Sequence, residues 1–451
     1  MTIASVVLAA GMGTRMKSRT PKMLHKLLGK PLLTYSISSV IGISTLPPVI
    51  VVGHGSEGVT LAVKDVYGEQ VQFALQSEQL GTGHAVMSAE KLLAGKSDLV
   101  LVTLADMPML REETIAAILK FHQDSGNVLT MTSVVGDVPR GFGRVIRDES
   151  GNVIAIVEEA VATPEQLKIC EYNISVYCFE ASWLWENLRN IKTSAKGEYY
   201  LTDLIAMAVE QGKKLDAYIL QDPVEGLGIN NRVDLADCEL AMRKRVIRQW
   251  MLDGVTFLDP GSCTIESDVV IGQDTVILPN THLQGSTRIG ENCQIGPDTT
   301  LTDTTVGNEC MVTYSVAEKA TLGNHVSMGP FCHLRKGAVL MDGVHLGNFG
   351  EVKDSVLEEC VKMGHFSYIG NAKIGKNVNI GAGTITCNYD GKFKHPTEIG
   401  ENTFIGSDTM LVAPLKIGKN AKTGAGSVVT KDIPDDTLVY GVPARPKERK
   451  E

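Results

Sequence analysis

Residues 269–301 read VVIGQDTVILPNTHLQGSTRIGENCQIGPDTTL, and aliphatic side chains recur in this stretch at every sixth position. The members of the series are Ile271, Ile277, Leu283, Ile289, Ile295 and Leu301, and glycine follows three of them. A period of six over many cycles is typical of a hexapeptide parallel β-helix, in which each aliphatic side chain points inward and a small residue permits the corner. The stretch therefore predicts a β-helix, with chance periodicity as the alternative.

The same period returns near the end of the chain, and the pattern that carries it begins at about residue 252. The second series is Ile399, Ile405, Leu411, Ile417, Thr423 and Val429. A solenoid of this kind has a continuous core but flat faces, so a small-molecule site on it needs walls from loops or neighbouring subunits. We therefore expect an oligomer. The period leaves the hand of the coil open, and similarity to hexapeptide proteins implies a left-handed coil.

The chain before residue 229 has a different pattern, in which aliphatic runs such as Ile3–Leu8 and Leu99–Leu104 alternate with segments of helical character. Such alternation predicts an α/β domain with a parallel-rich sheet covered by helices on both faces. The segment that follows lacks Gly and Pro and predicts one amphipathic linker helix. Because 451 residues exceed one hydrophobic core, we expect three parts, 1–228, 229–251 and 252–451.

Composition excludes several classes of protein. A formal net charge of −9 with 21% charged residues argues against a general nucleic-acid or membrane-surface binder. Nine cysteines without a C-x-x-C pair indicate reduced thiols and a cytoplasmic protein. No window approaches the ~18 consecutive apolar residues that span a bilayer. The opening run 3–10 has no positive residue before it, so it predicts a buried first strand rather than a signal peptide.

The first strand leads into residues 8–15, LAAGMGTR, and Pro21-Lys22 follow. Glycines after a strand let backbone N–H groups approach phosphate oxygens, and Arg15 with Lys22 would supply the positive charge that phosphoryl transfer needs. A bare Gly-x-Gly turn is more often structural, but the two basic residues at these distances favour a phosphate site.

Two further motifs fit a nucleotide site. Residues 75–85, LQSEQLGTGHA, place the Gln76 amide where it can pair with a nucleobase edge, although a surface turn is the alternative. Asp106 ends an apolar strand, which is the usual place of ligand-binding residues in an open α/β sheet. A carboxylate there can hold Mg²⁺, although alone it would as often cap a helix.

With residues 141–144 (GFGR), Glu158, Asn173, 197–203 (GEYYLTD) and 230–232 (NNR), the chain resembles the bacterial bifunctional N-acetylglucosamine-1-phosphate uridyltransferase/glucosamine-1-phosphate acetyltransferase family over nearly its whole length. The resemblance implies that the N-terminal domain binds nucleotide and sugar through Leu8, Ala9, Ala10, Gly11, Gly13, Thr14, Arg15, Lys22, Gln76, Gly81, Thr82, Asp106, Gly141, Glu158, Asn173 and Asn230.

Within that set, the resemblance assigns uracil to Gln76, Gly81 and Thr82, phosphates to Arg15 and Lys22, and Mg²⁺ to Asp106 and Asn230. It assigns the amino sugar to Gly141, Glu158 and Asn173. Three residue pairs depart from the family pattern. Leu104-Ala105 stands where the family has Tyr-Gly, Ala160-Val161 where it has Lys-Asp, and Ile174-Ser175 where it has Thr-Gly. These departures cluster on the sugar side, so they leave the sugar preference open.

Three interruptions of the hexapeptide period carry polar residues, at 331–335 (FCHLR), 347–353 (GNFGEVK) and 364–370 (GHFSYIG). Acetyl transfer to an amine needs a base, a cationic site for the sugar phosphate and donors for the oxyanion. His365 is the natural base because imidazole titrates near neutral pH, although a lone histidine on a β-helix is more often a surface residue.

The stretch 379–391, NIGAGTITCNYDG, matches the acetyltransferase half of the same family. The resemblance makes His365 the proton acceptor. It assigns glucosamine 1-phosphate to Arg335, Lys353, Tyr368 and Asn379, and acetyl-CoA to Ala382, Asn388, Tyr389, Ser407 and Ala425. Lys394 would help with coenzyme phosphates. Gly441 stands where some relatives place an arginine, and Arg445 is a candidate substitute.

The sequence thus predicts a Rossmann-like α/β nucleotidyltransferase domain and a C-terminal left-handed parallel β-helix. The resemblance implies a homotrimer that uses Mg²⁺, acetyl-CoA and UTP to convert glucosamine 1-phosphate, through N-acetylglucosamine 1-phosphate, into UDP-N-acetylglucosamine for cell-wall synthesis. No nucleic-acid or membrane partner is expected. The alternatives are a single-activity sugar-1-phosphate nucleotidyltransferase with a structural β-helix, and a non-catalytic regulatory subunit such as those of the translation-initiation exchange factor.

Overall fold

A computed structural model describes residues 1–136, 141–194 and 197–447 of the chain. The chain divides into two compact units, Met1–Met242 and Arg243–Glu451. The division falls within one helix, which begins at Arg232 because Asn231 and Asp234 satisfy its free N–H groups. The Asn231 Oδ1 accepts from the backbone N–H of Val233 at 2.7 Å, and the Asp234 carboxylate accepts from that of Asn230 at 2.8 Å.

The first unit is built on a mixed sheet. Its strands are β1 (Ile3–Leu8), β2 (Lys26–Leu27), β3 (Lys30–Pro31), β4 (Val49–Val52), β5 (Gln72–Leu75), β6 (Leu99–Leu104), β7 (Leu129–Val135), β8 (Arg144–Arg147), β9 (Val153–Val157), β10 (Glu171–Glu180) and β11 (Leu215–Ile219). The order in the main sheet is β11-β7-β10-β6-β1-β4-β5, and β8 with β9 forms a hairpin beside β10. All neighbours along the main path pair in parallel except those of β10.

Helices cover the sheet. They are α1 (Leu32–Ile41), α2 (Ser56–Tyr67), α3 (Thr82–Leu93), α4 (Glu112–Ser125), α5 (Ala181–Leu188) and α6 (Asp203–Glu210). The helix in which the division between the units falls is α7 (Arg232–Leu252). Short 3₁₀ turns lie at Thr14–Met16, Lys22–Leu24, Gly68–Gln70, Glu159–Val161, Gln166–Lys168 and Pro223–Gly226.

The core of this unit forms two layers, one on each side of the sheet. One layer contains Val86 of α3 and Leu184 of α5, and the other contains Ile37 of α1 and Ile118 of α4. Strands buried on both faces explain why the sequence shows continuous aliphatic runs rather than alternation. The prediction of a Rossmann-like α/β domain with two helical layers is confirmed.

The second unit is a left-handed parallel β-helix with three faces. The first face contains Thr256–Phe257, Val276–Ile277, Gln294–Ile295, Met311–Val312, Ser327–Met328, His345–Leu346, Lys362–Met363, Asn379–Ile380, Phe404–Ile405, Lys422–Thr423, Leu438–Gly441 and Ala444–Pro446. The second face contains Thr264–Ile265, His282–Gln284, Thr300–Thr302, Val316–Glu318, His333–Leu334, Gly350–Lys353, Ser367–Gly370, Ile385–Cys387, Met410–Val412 and Val428–Val429. The third face contains Val270–Ile271, Arg288–Ile289, Thr305–Val306, Thr321–Leu322, Ala338–Leu340, Ser355–Leu357, Ala372–Ile374, Thr397–Ile399 and Leu415–Ile417.

The period of six is the step from one face to the next. Ile271 pairs with Ile289 on the coil above, and Ile277 pairs with Ile295 in the same way. All four side chains are buried in one continuous core. The hexapeptide prediction is therefore confirmed.

The corners of the coil differ from the simple expectation that a small residue makes the turn. Several left-handed corner positions carry Asp or Asn, for example Asp274 with φ 59° and Asn280 with φ 57°. These residues tolerate that conformation because their short polar side chains bond locally. Gly272 has another reason to be small, since a Cβ there would lie 2.6 Å from the carbonyl carbon of Gly290 on the next coil.

No helix among residues 1–136, 141–194 and 197–447 combines the length and the apolar character needed to cross a bilayer. The structure describes all nine cysteines, and each of them is a free thiol.

Candidate functional site

A cleft of about 500 Å³ lies at the carboxyl ends of β1 and β6. Predicted residues that line it are Leu8, Ala10, Gly11, Gly13, Thr14, Arg15, Lys22, Gln76, Gly81, Thr82, Asp106 and Asn230. Ala9 does not line the cleft, because its side chain packs into the core beneath. Residues that sequence reasoning did not assign to the site also contribute, namely Met12, Met23, Gln79, Ala85, Leu104, Glu198 and Tyr200.

The loop after β1 is shaped by Gly13. This residue has φ 61°, and a Cβ at its position would lie 2.6 Å from the Cβ of Lys22. A larger residue would therefore push away the lysine that follows in the next turn. The close approach places Lys22 next to the phosphate-binding loop that the sequence predicts.

Two cations meet two oxygen ligands in the cleft. The Lys22 ammonium forms an ion pair with the Asp106 carboxylate and lies 3.3 Å from Asn230 Oδ1. The Arg15 guanidinium donates to the same Asn230 oxygen at 2.8 Å. Lys22 is largely buried, so its charge is directed at this group rather than at solvent. The arrangement can neutralise an anionic ligand such as a triphosphate.

The two oxygens fit a magnesium site. Asp106 and Asn230 both contact one ammonium group, which places their oxygens within reach of a single cation. Within the described residues there is no group of three or more His, Cys, Asp or Glu side chains arranged for a metal. Mg²⁺ commonly binds one or two protein oxygens together with substrate phosphates and water, so these two residues suffice.

The far end of the cleft is formed by the turn before α3. Gln76 is buried and its Nε2 donates to the carbonyl of Gly81 at 3.1 Å. Gly81 has φ 96°, and a Cβ there would lie 2.6 Å from the carbonyl oxygen of Tyr199. A backbone hydrogen bond connects the segment around Tyr199 to the beginning of α3, because the Gly83 N–H donates to the Tyr199 carbonyl at 2.8 Å. These bonds hold the Gln76 amide in place on the wall of the cleft.

An inner cavity of about 130 Å³ adjoins the cleft and shares Leu8, Thr82, Leu104 and Tyr200 with it. Its remaining lining is Glu158, Ser175, Tyr177, Leu201 and Thr202.

Burial raises the pKa of the Glu158 carboxyl above its ordinary value, and it raises the pKa of the Tyr177 phenol, to which the charge of Glu158 adds. Of the residues predicted for the sugar, only Glu158 lines this cavity. Asn173 is buried behind it, and Gly141 is exposed and lines neither space.

On the β-helix, the predicted acetyl-transfer residues lie along the corner between the first and second faces. His365, Ala382, Ser407 and Ala425 each follow by three positions a residue of one register-paired series, Lys362, Asn379, Phe404 and Lys422. They therefore form one row, here called the His365 row, on four successive coils. Adjacent strands are about 4.8 Å apart, so the row offers an extended groove edge rather than a pocket.

A cationic cluster stands on the second face. Val352 pairs with Leu334, so Lys353 and Arg335 are neighbours on adjacent coils. The Lys394 ammonium lies close to that of Lys353, and this like charge lowers the pKa of the Lys353 ammonium. Arg335 also pairs with Glu351 at 3.0 Å. Like charges held this close favour a bound anion, as a sugar phosphate would be.

The remaining predicted residues are divided between faces. Tyr368 lies on the second face beside Glu351, whereas Asn379 lies on the first face beside Lys362. Asn388 is buried and its Nδ2 donates to Asn371 Oδ1 at 2.7 Å. Its neighbour Tyr389 is exposed.

Gly441, where some relatives have an arginine, and Arg445, the candidate substitute, both lie in the last hairpin. Gly441 has φ 100° and pairs with Ala444, and Arg445 lies exposed on the returning strand opposite Tyr440.

The nucleotidyl transferase family profile matches residues 4–251, and the bacterial transferase hexapeptide profile, of six repeats, matches residues 268–303 and 396–431. The bifunctional protein GlmU of Caldanaerobacter subterraneus subsp. tengcongensis is 45% identical over 437 residues, which are 97% of this chain and 94% of that protein. The GlmU proteins of Heliobacterium modesticaldum and Streptococcus agalactiae serotype V are also 45% identical, over 96% and 98% of this chain and 94% and 95% of their own lengths.

The chain belongs to the GlmU family. The resemblance predicted from the motifs is confirmed, and so is the pairing of a nucleotidyltransferase with a hexapeptide transferase in one bifunctional enzyme. Because the chain covers almost the full length of these GlmU relatives, both halves of the GlmU architecture are present.

Proposed function

We propose that the chain acetylates glucosamine 1-phosphate with acetyl-CoA on its β-helix. It then transfers UMP from UTP to N-acetylglucosamine 1-phosphate in the N-terminal cleft, which gives UDP-N-acetylglucosamine and pyrophosphate. The observation that carries the proposal is the convergence of Arg15, Lys22, Asp106 and Asn230 beside the Gln76 turn. Cations, metal-ligating oxygens and an amide for a base edge in one cleft suit a nucleoside triphosphate.

In the uridylyl step, a phosphate oxygen of the sugar 1-phosphate attacks the α-phosphorus of UTP in line, and the bond to pyrophosphate breaks. No protein nucleophile takes part. Arg15 and Lys22 hold the phosphates and neutralise the charge that develops on the leaving group. Mg²⁺, held by Asp106 and Asn230 when bound, supplies further positive charge to the phosphate oxygens.

In the acetyl step, the amine of glucosamine 1-phosphate attacks the thioester carbonyl of acetyl-CoA. A C–N bond forms, the C–S bond breaks, and coenzyme A leaves as the thiol. His365 takes the proton from the attacking nitrogen, while Arg335 and Lys353 hold the sugar phosphate. Ala382, Ser407 and Ala425 continue from His365 along the row and offer the coenzyme an extended edge.

A trimer completes this second site. Tyr368 lies on the second face of one chain and Asn379 lies on the first face. A second copy of the chain is therefore needed for one substrate to contact both a Tyr368 and an Asn379. Exposed aromatic side chains along the same corner give such a copy an apolar surface. Tyr314 lies 5.8 Å from Phe331 and Phe331 lies 5.3 Å from Phe349, ring centroid to ring centroid, and Phe366 is exposed beside His365. We infer a homotrimer from these two features together.

The proposed substrates are small molecules, and neither a nucleic acid nor a membrane is required as a partner. Nine free thiols suit a reducing compartment, so the proposal places the reactions in the cytoplasm.

The test is a pair of assays on the purified protein. One follows release of the coenzyme A thiol from acetyl-CoA with glucosamine 1-phosphate, and the other follows pyrophosphate release from UTP, Mg²⁺ and N-acetylglucosamine 1-phosphate. We expect both activities in the unmodified chain. The variant His365→Ala should lose only the first, and Asp106→Asn only the second. Pyrophosphate release without any thiol release would leave a nucleotidyltransferase with a structural β-helix.

A further inference from the structure

The loop of residues 388–396 connects the second face of the β-helix to the third, between the strands Ile385–Cys387 and Thr397–Ile399. It forms a small hairpin, here called the 388–396 hairpin, because Tyr389 and Lys394 pair in an antiparallel bridge. The residues in it that are expected to serve acetyl transfer are Asn388, Tyr389 and Lys394. The conformation of this hairpin therefore bears on the second activity.

The base of the hairpin is attached to the coil, whereas its tip is exposed. Asn388 is buried, and its Nδ2 donates to Asn371 Oδ1 at 2.7 Å. Its carbonyl accepts from the backbone N–H of His395 at 2.8 Å, which closes the base. The side chains of Tyr389 and Phe393 at the tip are exposed. Packing against the coil therefore contributes little to the conformation of the tip.

The Asp390 carboxylate holds the hairpin together. Its Oδ1 accepts from the backbone N–H groups of Lys392 at 2.7 Å and Phe393 at 2.6 Å. Its Oδ2 lies 2.6 Å from His395 Nε2, which donates because a carboxylate only accepts. These bonds, with His395 as the largest cause, lower the pKa of the Asp390 carboxyl to about 2. One ionised side chain thus connects both strands of the hairpin.

The same hairpin contributes to the cationic cluster on the second face. The Lys394 ammonium lies close to that of Lys353, and the charge of Arg335 also acts on Lys353. A carboxylate with free oxygens beside these cations would oppose the binding of an anionic coenzyme. The Asp390 oxygens instead face three donors of the hairpin itself.

We propose that His395 and Asp390 are positioning residues for acetyl transfer, whose mutual bond holds the 388–396 hairpin in the conformation that presents Tyr389 and Lys394 to acetyl-CoA. Neither His395 nor Asp390 contacts a substrate in this role. Without the imidazole, Asp390 keeps its two backbone donors but loses its bond to the second strand of the hairpin. The inference rests on the proposed acetyl transfer.

The experiment follows coenzyme A thiol release by the full-length chain, with acetyl-CoA and glucosamine 1-phosphate varied in turn. His395→Asn gives a side chain too short to reach Asp390, whereas His395→Gln places an amide nitrogen near the position of Nε2. The matched control is His325→Asn. His325 and Glu309 form another exposed pair on the β-helix, 3.3 Å apart, and asparagine tolerates the φ of 55° at that position.

We expect His395→Asn to raise the KM for acetyl-CoA by about tenfold, as the loss of one charge-assisted hydrogen bond would. The kcat should stay within about threefold, since no group that takes part in the reaction is removed. His395→Gln should bring the KM back to within about threefold of that of the unmodified chain. His325→Asn should leave it unchanged.

A double variant tests whether the two residues act through one bond. Asp390→Ala alone should raise the KM for acetyl-CoA, and adding His395→Asn should raise it no further. Pyrophosphate release from UTP and N-acetylglucosamine 1-phosphate should be the same in all these variants, because its cleft lies within Met1–Met242.

Several results would overturn the positioning role. They are an unchanged KM in His395→Asn, a raised KM that His395→Gln does not reverse, and effects of the two substitutions that multiply in the double variant. A lower unfolding temperature of His395→Asn with an unchanged KM would leave the bond a purely structural one. Absence of thiol release by the unmodified chain would overturn the proposed acetyl transfer itself, and the positioning role with it.

Discussion

The buried Glu225 carboxylate accepts hydrogen bonds from both the backbone N–H and the Nε of Arg111, each at 2.9 Å, and forms an ion pair with the same guanidinium. Arg111 lies five residues after Asp106, and Glu225 lies five residues before Asn230. The pair therefore joins the two segments that carry the proposed metal-binding oxygens. The backbone adds a second tie, because the Ile229 N–H donates to the Asp106 carbonyl at 3.0 Å.

Replacing Arg111 by alanine is expected to cost about 1–3 kcal/mol of folding stability, because the buried Glu225 carboxylate loses a charged partner that is itself about half exposed. The backbone N–H of residue 111 and the Thr114 hydroxyl, each 2.9 Å from the same carboxylate, would remain as weaker partners. Thermal unfolding of the purified variant measures the loss. The control is Arg189→Ala, whose guanidinium is exposed and pairs with Glu90 at the surface, and which should cost much less stability than Arg111→Ala. Equal losses of stability in the two variants would contradict a special role for the Arg111–Glu225 ion pair.

The Lys22 ammonium contacts both Asp106 and Asn230, the two residues that we propose hold Mg²⁺. We expect Lys22→Met to bind Mn²⁺ at least about fivefold more tightly without nucleotide, since a like charge ~4 Å away costs about 1–4 kcal/mol. The same variant should lose affinity for UTP. Electron paramagnetic resonance of free Mn²⁺ reports the first effect. Lys26→Met, at an exposed lysine of β2, is the control, and equal Mn²⁺ affinity in both variants would exclude the competition.

The lowered pKa of Lys353 predicts a pH dependence for acetyl transfer. As pH rises through that lowered pKa, Lys353 loses its charge and the affinity for the sugar phosphate falls. Lys394 is the largest cause of the shift, so Lys394→Met should raise the pKa of Lys353. The alkaline limb of the kcat/KM profile for glucosamine 1-phosphate should then move to higher pH. An alkaline limb that stays in place would show that Lys353 does not titrate in this range.

The exposed aromatic side chains at the corner between the first and second faces predict where copies of the chain meet. They are Tyr314, Phe331, Phe349 and Phe366. Phe349→Asp places a charge beside Phe331, so it should weaken the assembly and reduce acetyl transfer. Pyrophosphate release should be preserved, because the N-terminal cleft is built within Met1–Met242. Sedimentation velocity gives the mass of the assembly. Val270→Asp, an exposed apolar position on the third face, serves as the control, and loss of assembly there but not in Phe349→Asp would refute this surface.

Local sequence signals account for the parts of the structure that could be predicted. The step of six from Ile271 to Ile277 is the step from one face of the coil to the next, so the sequence predicts the β-helix directly. The turn at Gly13 and the position of Asp106 at the end of β6 likewise depend on neighbouring residues. Such features survive folding because few distant residues compete with them.

The sugar side could not be predicted in the same way. The family pattern assigns Asn173 to the sugar, and in the structure its amide also bonds Ser175 and Tyr177 next to the irregularity in β10. Nothing near Asn173 in the sequence shows where the Tyr177 hydroxyl will lie. The Arg111–Glu225 ion pair could not be predicted from the sequence either, because its residues are 114 positions apart and only the fold brings them together.

The most direct measurement is a single reaction that contains the purified chain, glucosamine 1-phosphate, acetyl-CoA, UTP and Mg²⁺, with coenzyme A thiol, pyrophosphate and UDP-sugar measured together. We predict one thiol and one pyrophosphate for each molecule of UDP-N-acetylglucosamine, with thiol release preceding pyrophosphate release. Omitting acetyl-CoA should then prevent UDP-sugar formation. Pyrophosphate and a UDP-sugar formed at the full rate without acetyl-CoA would contradict the order of reactions and the coupling of the two halves.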